Sequence, residues 1–258
     1  MRNKPVKAKK HLGQHFLIDE TIAHNIVKGL SSGYPVMEVG PGTGVLTKYL
    51  VNIKKQDEFS VSEIDRDSVA YLKEHFPSLK IIQESFLSLD LSNQFGSTKM
   101  NVIGNFPYNI SSQILFHALD YKEHVNELVG MLQKEVCERI VASPSNKAYG
   151  ILSVLIQAFY KAEYLFTVDE HVFDPPPRVK SGVIRLTRNE VTDLGCDPIV
   201  FKRVVKHTFN QRRKMLRKTV KPLLTKSVEP DEIPFSTKRP EDLSVQDFVV
   251  LTLFIEAN

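Results

Sequence analysis

Short apolar runs recur along the first two thirds of the chain, at residues 36–39, 59–62, 80–83, 100–104 and 128–132, and each stops abruptly at a glycine or a polar residue. Runs of this length predict strands buried on both faces. Between them the pattern changes to helical spacing. Asp19 reads as the N-cap of a helix reaching about Leu30, and residues 45–52 as a helix after the first strand. Residues 134–142 form another, stopped by Ser143-Pro144-Ser145-Asn146, and residues 150–158 one more. Residues 164–168 and 183–186 read as closing strands. Strands alternating with helices predict an α/β fold on a mostly parallel, doubly wound sheet. The composition turns polar around residues 189–197, with Gly195 and Pro198, which sets a domain boundary. Residues 1–190 form the expected catalytic domain, with 1–30 as an N-terminal arm and helix, and 191–258 a small helical domain. In that second part residues 199–209 and 211–220 predict basic amphipathic helices, and 245–255 a last apolar one.

The polar residues at the strand ends carry the candidate chemistry. After the first strand comes Gly40-Pro41-Gly42-Thr43-Gly44 and then a helix, the strand–loop–helix arrangement in which a ligand approaches the backbone. The second strand ends at Glu63, about twenty residues on, the usual place for an acid that accepts hydrogen bonds from ribose hydroxyls. The third ends at Glu84, a second acid that could meet a ligand's adenine amine. The fourth ends at Asn105-Phe106-Pro107-Tyr108. Pro107 fixes its own φ and pushes Phe106 to an extended conformation, so the carbonyls of Asn105 and Phe106 are not consumed by a helix. Carbonyl acceptors beside the flat face of Tyr108 suit a planar ring with an exocyclic amine. Methylation of an adenine amine fits: acceptors holding the N–H bonds would turn the nitrogen lone pair toward an electrophile as it becomes tetrahedral. A strand end with two core aromatics would look the same without its neighbours.

Two other segments flank these turns. Lys9-Lys10-His11-Leu12-Gly13-Gln14-His15-Phe16-Leu17 is either an arm packed on the domain or a lid over a cofactor, with His15 and Leu17 contributing. Residues 171–179 hold Asp174-Pro175-Pro176-Pro177, a rigid loop. Phe173 before it is placed either against the target base, on the side away from Tyr108, or in structural packing.

Composition bounds the partners. The 258 residues are 42% hydrophobic and 25% charged, enough for one large domain and a smaller one. The apolar runs are too short for a membrane span, and the basic N-terminus has no apolar core of a secretory signal. Cys137 and Cys196 make no C-x-x-C pair, which fits a reducing cytoplasm, and the eight histidines show no zinc-type spacing, so no metal site is expected. Net charge is only +4 but is uneven. Arg2, Lys4, Lys7, Lys9 and Lys10 crowd the start, and ten Lys and Arg residues lie between 202 and 226 with no acid among them. Two basic runs with acids between them suggest a polyanion partner.

Taken together, the motifs resemble the KsgA-type family of ribosomal RNA adenine N6,N6-dimethyltransferases. The likeness runs from about Lys10 to Phe254. It is carried by Gly13-Gln14-His15-Phe16-Leu17, Glu38-Val39-Gly40-Pro41-Gly42-Thr43-Gly44, Glu63-Ile64-Asp65-Arg66-Asp67, Gly104-Asn105-Phe106-Pro107-Tyr108-Asn109-Ile110-Ser111, Met131-Leu132-Gln133-Lys134-Glu135-Val136 and Phe209-Asn210-Gln211-Arg212-Arg213-Lys214. The resemblance implies a Rossmann-like methyltransferase sheet with a small helical C-terminal domain. It implies S-adenosylmethionine as methyl donor, bound by His15, Leu17, Gly40, Gly42, Glu63, Glu84 and Asn105, with Asn105, Phe106, Pro107 and Tyr108 catalytic. It implies as substrate two adjacent adenosines in a hairpin near the 3′ end of small-subunit ribosomal RNA, dimethylated in the assembling 30S particle by a cytoplasmic enzyme expected to be a monomer. Arg212, Arg213 and Lys214 would touch RNA. The chain departs from the family pattern at His15, where Asn is common, at Phe106, where Leu is common, and at Glu84, where Asp is common. All three keep polarity or bulk, so activity is expected. Three rivals remain at this level: a large-subunit rRNA dimethyltransferase, an assembly factor without catalysis, and a nicotinamide-dependent dehydrogenase on the same fold.

Overall fold

The computed structural model describes residues 6–258. Arg2 and Lys4 of the basic start, and the first residues of the expected arm, lie outside them. By backbone contacts the chain divides into two compact units. The first runs up to Cys137 and resumes over Glu163–Arg188; the second joins Glu138–Ala162 to Asn189–Asn258.

In chain order the first unit contains β1 (Phe16–Leu17), α1 (Glu20–Lys28), β2 (Val36–Val39), α2 (Thr47–Ile53), β3 (Phe59–Ser62), α3 (Arg66–His75), β4 (Lys80–Ile82), β5 (Gln94–Ser97), β6 (Met100–Asn105), α4 (Ser111–Asp120) and β7 (Val125–Gln133). Helix α5 (Lys134–Val141) leads out of it, and α6 (Ile151–Gln157) follows. Then come β8 (Tyr160–Val168), β9 (Phe173–Asp174) and β10 (Ser181–Arg188). Among the described residues, seven strands form one sheet in the order β4-β3-β2-β6-β7-β10-β8. The pairs from β4 through β7 are parallel and β10 runs antiparallel to β7. All four residues of β2 and of β3 are buried, as strands covered on both faces must be.

The order matters for function. From β2 the chain steps outward to β3 and β4, then returns to place β6 on the other side of β2. Ligands of open α/β sheets bind at such a reversal, outside the carboxyl ends of the strands. Glu38 pairs with Ile103, so Gly40, two residues on, comes level with Asn105. The glycine turn and the Asn105 corner are thus neighbours across the reversal. The helix caps follow the sequence: the Asp19 carboxylate accepts the Ile22 N–H at 2.9 Å, and the Asp65 carboxylate accepts the Asp67 N–H at 3.2 Å.

The short antiparallel ladder β1–β9, pairing Phe16 with Asp174 and Leu17 with Phe173, was not expected from the sequence. Neither strand has a periodic pattern, because each is two residues long.

The second unit is helical. Helices α6, α7 (Pro198–Phe209), α8 (Leu216–Thr219) and α9 (Val245–Ala257) surround Phe201, Val204, Phe209, Leu216, Phe248 and Leu251, all buried. Here the structure differs from a single cut after residue 190. The segment Glu138–Ala162 clusters with the C-terminal residues. Its Tyr149 packs there: the side chain is buried, its hydroxyl donates to the Leu243 carbonyl at 2.9 Å, and its ring meets Phe209 at 6.1 Å. A second difference concerns residues 211–220, expected as one helix. Hydrogen-bonded turns occupy 210–214, and only Leu216–Thr219 is α-helical. The N–H groups of Leu216 and Arg217 donate to the carbonyls of Lys238 and Ser236, so tertiary pairing replaces the helical bonds that amphipathic spacing implied.

Candidate active site

The site is built from three strand ends and one arm. At the end of β2, Gly40 and Gly42 hold φ of 65° and 56°. A Cβ on Gly42 would lie 2.7 Å from Phe16 Cε1, so this turn is also shaped by the arm lying against it. At the end of β3 the Glu63 carboxylate accepts the N–H groups of Gly42 at 3.1 Å and of Asp65 at 2.8 Å. These bonds join the ends of β2 and β3 into one wall. Burial pushes the Glu63 carboxyl above its ordinary value, against those backbone bonds. Beneath the glycine turn, burial pushes Glu38 up to about 8, although the Thr47 hydroxyl donates to it at 2.7 Å.

At the end of β6 the chain turns at Asn105. The Phe106 N–H still donates to the Met131 carbonyl of β7, at 3.1 Å, so the corner starts from the ladder. The Phe106 ring is fully buried over two glycines: a Cβ would meet it at 2.8 Å on Gly104 and at 2.4 Å on Gly130. Two adjacent strands therefore leave a notch for the ring, which anchors the corner. The hydrogen bonds of the following turn fall on the Pro107 carbonyl, which takes the Ile110 N–H at 3.1 Å, and on the Tyr108 carbonyl, which takes the Ser111 hydroxyl at 3.2 Å. Tyr108 is held by its phenol, 2.5 Å from the Ser181 hydroxyl at the start of β10, and burial pushes that phenol up.

A cavity of about 240 Å³ gathers these groups. His15, Gly40, Gly42, Glu63, Asn105, Phe106, Pro107 and Tyr108, singled out from the sequence, all line it, together with Ile64, Phe86 and Asn109. The arm forms one side. It is fastened at both ends: Lys9 pairs with Asp65 and, at 2.7 Å, with Asp67, while Gln14 donates to Asp65 at 3.3 Å. The Asp65 carboxyl is held below its ordinary value, because these bonds and the Asp67 N–H and Ser68 hydroxyl outweigh the burial that would raise it. The Asn105 amide donates to the His15 carbonyl at 2.8 Å.

Three candidates fall elsewhere. Leu17 is buried in the core and lines a small recess of about 20 Å³ below the cavity, with Glu38, Gly40 and Asn105. Glu84 is exposed and is not part of the cavity wall, which continues instead through Ser85, Phe86 and Leu87; its carbonyl takes the Ser62 hydroxyl at 2.8 Å. Phe173 does not line the cavity: it is 3% exposed and packs in the core with Leu17, its partner in the β1–β9 ladder. In the second unit Arg212 is spoken for, bonded to Glu241 and donating to the Lys147 carbonyl at 2.9 Å, whereas Arg213 and Lys214 are exposed. Sequence reasoning missed Ser181, Gly130 and the Lys9–Asp65 pair. The first two lie far along the chain from the residues they serve, and only the third had a signal, opposite charges on two motifs already singled out.

Comparison with known proteins places the chain in a family. The family described as Ribosomal RNA adenine dimethylase matches residues 6–231. A protein from Bacteroides fragilis named Ribosomal RNA small subunit methyltransferase A is 54% identical over 257 residues, covering 98% of this chain and 94% of its own. A dimethyladenosine transferase from Plasmodium falciparum superposes with a TM-score of 0.79 at 23% identity, covering 94% of this chain and 98% of that one. The 23S rRNA methyltransferase ErmE superposes with a TM-score of 0.70 at 20% identity, covering 93% and 99%, and these two likenesses speak for the fold alone. A family match over most of the length, joined to a near full-length relative at this identity, makes the chain a member of the ribosomal RNA adenine dimethylase family.

Proposed function

We propose that this chain transfers methyl groups from S-adenosylmethionine to the N6 amines of two adjacent adenosines in the 3′-terminal hairpin of small-subunit ribosomal RNA, dimethylating both. It does so in the cytoplasm, as a monomer, on the assembling 30S particle. The observation that carries the reading is one cavity lined by both the glycine turn and the Asn105–Tyr108 corner. The small-subunit target is supported by the name of the relative from Bacteroides fragilis.

The residues present fit the donor. A Cβ on Gly40 would point into open space, with nothing within 4 Å, so the backbone there is accessible to a ligand. A buried carboxylate, Glu63, stands at the neighbouring strand end to receive ribose hydroxyls. Gly40, Gly42, Glu63 and Asn105 would hold the donor, with the backbone of the arm at His15 and Leu17 closing over it. Glu84 joins them only by moving its side chain inward. The bound donor supplies a methyl group activated by a sulfonium.

The chain's own work is positional. The Phe106 carbonyl and the Asn105 side chain would accept the amine N–H groups, and Tyr108 would stack on the extruded base, worth roughly 1–3 kcal/mol. The amine becomes acidic only as the methyl arrives, so these acceptors suffice and no histidine or aspartate need act as base. Purified small and large subunits lacking the modification, incubated with radiolabelled donor, test the assignment. N6,N6-dimethyladenosine in the small-subunit hairpin is the expected product. Label in large-subunit RNA, or in neither, contradicts it.

A further inference from the structure

A stacking ring helps only while its plane is fixed, and the group that fixes Tyr108 lies outside the cavity. Tyr108 sits in a turn beyond β6, which ends at Asn105, so the sheet ladder does not hold it. Its phenol oxygen lies 2.5 Å from the hydroxyl of Ser181. Ser181 is fully buried, and as the first residue of β10 its main chain pairs with Gln133 of β7. The backbone around it has little freedom. A Cβ on Gly182 would lie 2.8 Å from the Tyr164 phenol oxygen and 3.0 Å from the Cys137 sulfur, and the Cys137 thiol donates to the Gly182 carbonyl at 3.3 Å. On the other side the Lys180 carbonyl takes the Lys134 N–H at 3.0 Å. The tip of a turn residue is thus tied through one hydroxyl to a rigid strand start.

We propose that Ser181 is the positioning residue that fixes the plane of Tyr108, and that the second methyl transfer to each adenine depends on it more than the first. This rests on the base-stacking role proposed above for Tyr108. In each transfer the amine nitrogen gains a bond to the methyl carbon, the carbon's bond to the donor sulfur breaks, and one amine proton leaves to water. An unmodified amine enters with two N–H groups, one for the Phe106 carbonyl and one for the Asn105 side chain. The monomethyl amine enters with one, so one acceptor loses its partner. In the second round the base is held by one hydrogen bond fewer, and the stack carries a larger share of its orientation. Without the Ser181 hydroxyl the phenol would be free to swing about its side-chain torsions. That weakens the stack in both rounds and costs most in the second. Ser181 does not line the cavity, so it acts through Tyr108.

The test uses Ser181→Ala and Tyr108→Phe, singly and together, in the full chain with unmethylated small subunits as substrate. Each removes one half of the hydroxyl–phenol bond and keeps the ring. Single-turnover formation of N6-methyladenosine and of N6,N6-dimethyladenosine is followed by mass, with Tm and the S-adenosylhomocysteine dissociation constant measured for each protein. The second transfer should slow roughly two- to tenfold, the net worth of one hydrogen bond, and the first by less, so that N6-methyladenosine accumulates. Both single variants should show this shift, and the double variant should lose no more than the worse of the two, with donor affinity unchanged. Equal slowing of the two transfers, additive losses, a wild-type product ratio, or donor affinity falling in step with transfer each overturns the positioning role. If Ser181→Ala does not fold, the product ratio of Tyr108→Phe decides. Tyr108→Ala separates this from the parent reading: undiminished transfer by that variant removes the stacking role itself, whereas lost transfer there with a wild-type product ratio in the other variants removes only the role of Ser181.

Discussion

Phe106 shows how one side chain can set the geometry of the Asn105–Tyr108 corner. Its ring fits where Gly104 and Gly130 leave out their side chains, so the corner cannot shift without opening a void. Gly130→Ala would drive a Cβ to 2.4 Å from the ring. We expect about 1–3 kcal/mol of destabilisation, seen as a lower Tm, together with a loss of methyl transfer larger than the loss of folded protein. Glu38 gives a second test at this scale. Its carboxyl is raised from 4.5 to about 8 in the fold, so the native state holds a proton that the unfolded chain releases. Its stability contribution is therefore intact below pH 4.5 and is lost as the pH rises toward about 8. Across that window the wild type should lose stability relative to Glu38→Gln, with a slope approaching about 1.4 kcal/mol per pH unit. Denaturant midpoints measured for both proteins between those limits check the sign.

At the scale of elements, the arm is the part that sequence patterns under-describe. The buried strands, the glycine turn, Glu63 and the Asn105 corner were legible because each sits at the end of an apolar run, where period and residue type coincide. The pairing of Leu17 with Phe173 was not, because a two-residue ladder has no period and its partners are far apart in the chain. The same gap explains why Phe173 had two expected roles, and residues 211–214 read as helix because the bonds of Leu216 and Arg217 to Lys238 and Ser236 leave no periodic trace either. The arm is fastened by Lys9 to Asp65 and Asp67, and each of these bonds raises the lysine's pKa. Lys9→Met should speed release of S-adenosylhomocysteine in stopped-flow measurements while leaving Tm unchanged. High salt should produce the same acceleration in the wild type and little further change in the variant. An off-rate indifferent to both would mean that the arm does not gate the cavity.

At the scale of the whole chain, the proposal gives the chemistry to the first unit and an RNA-contacting surface to the second. The first contains the cavity, and the second contains the whole acid-free basic run. Among the three basic residues singled out there, Arg212 is committed to Glu241, so its loss should lower Tm, whereas Arg213 and Lys214 face solvent. Replacing both exposed residues with alanine should weaken RNA binding and reduce the slope of log affinity against log salt by about 1–2, with Tm unchanged. An unaltered slope would remove this surface from the RNA interface. The central claim, that the Asn105–Tyr108 corner holds the target amine while the glycine turn and Glu63 hold the donor, is tested most directly by single-turnover methyl transfer with Tyr108→Ala at saturating donor. Transfer should fall at least tenfold, about the worth of the stack, with the S-adenosylhomocysteine dissociation constant unchanged. Equal losses of transfer and of donor affinity, or no loss of either, would contradict it.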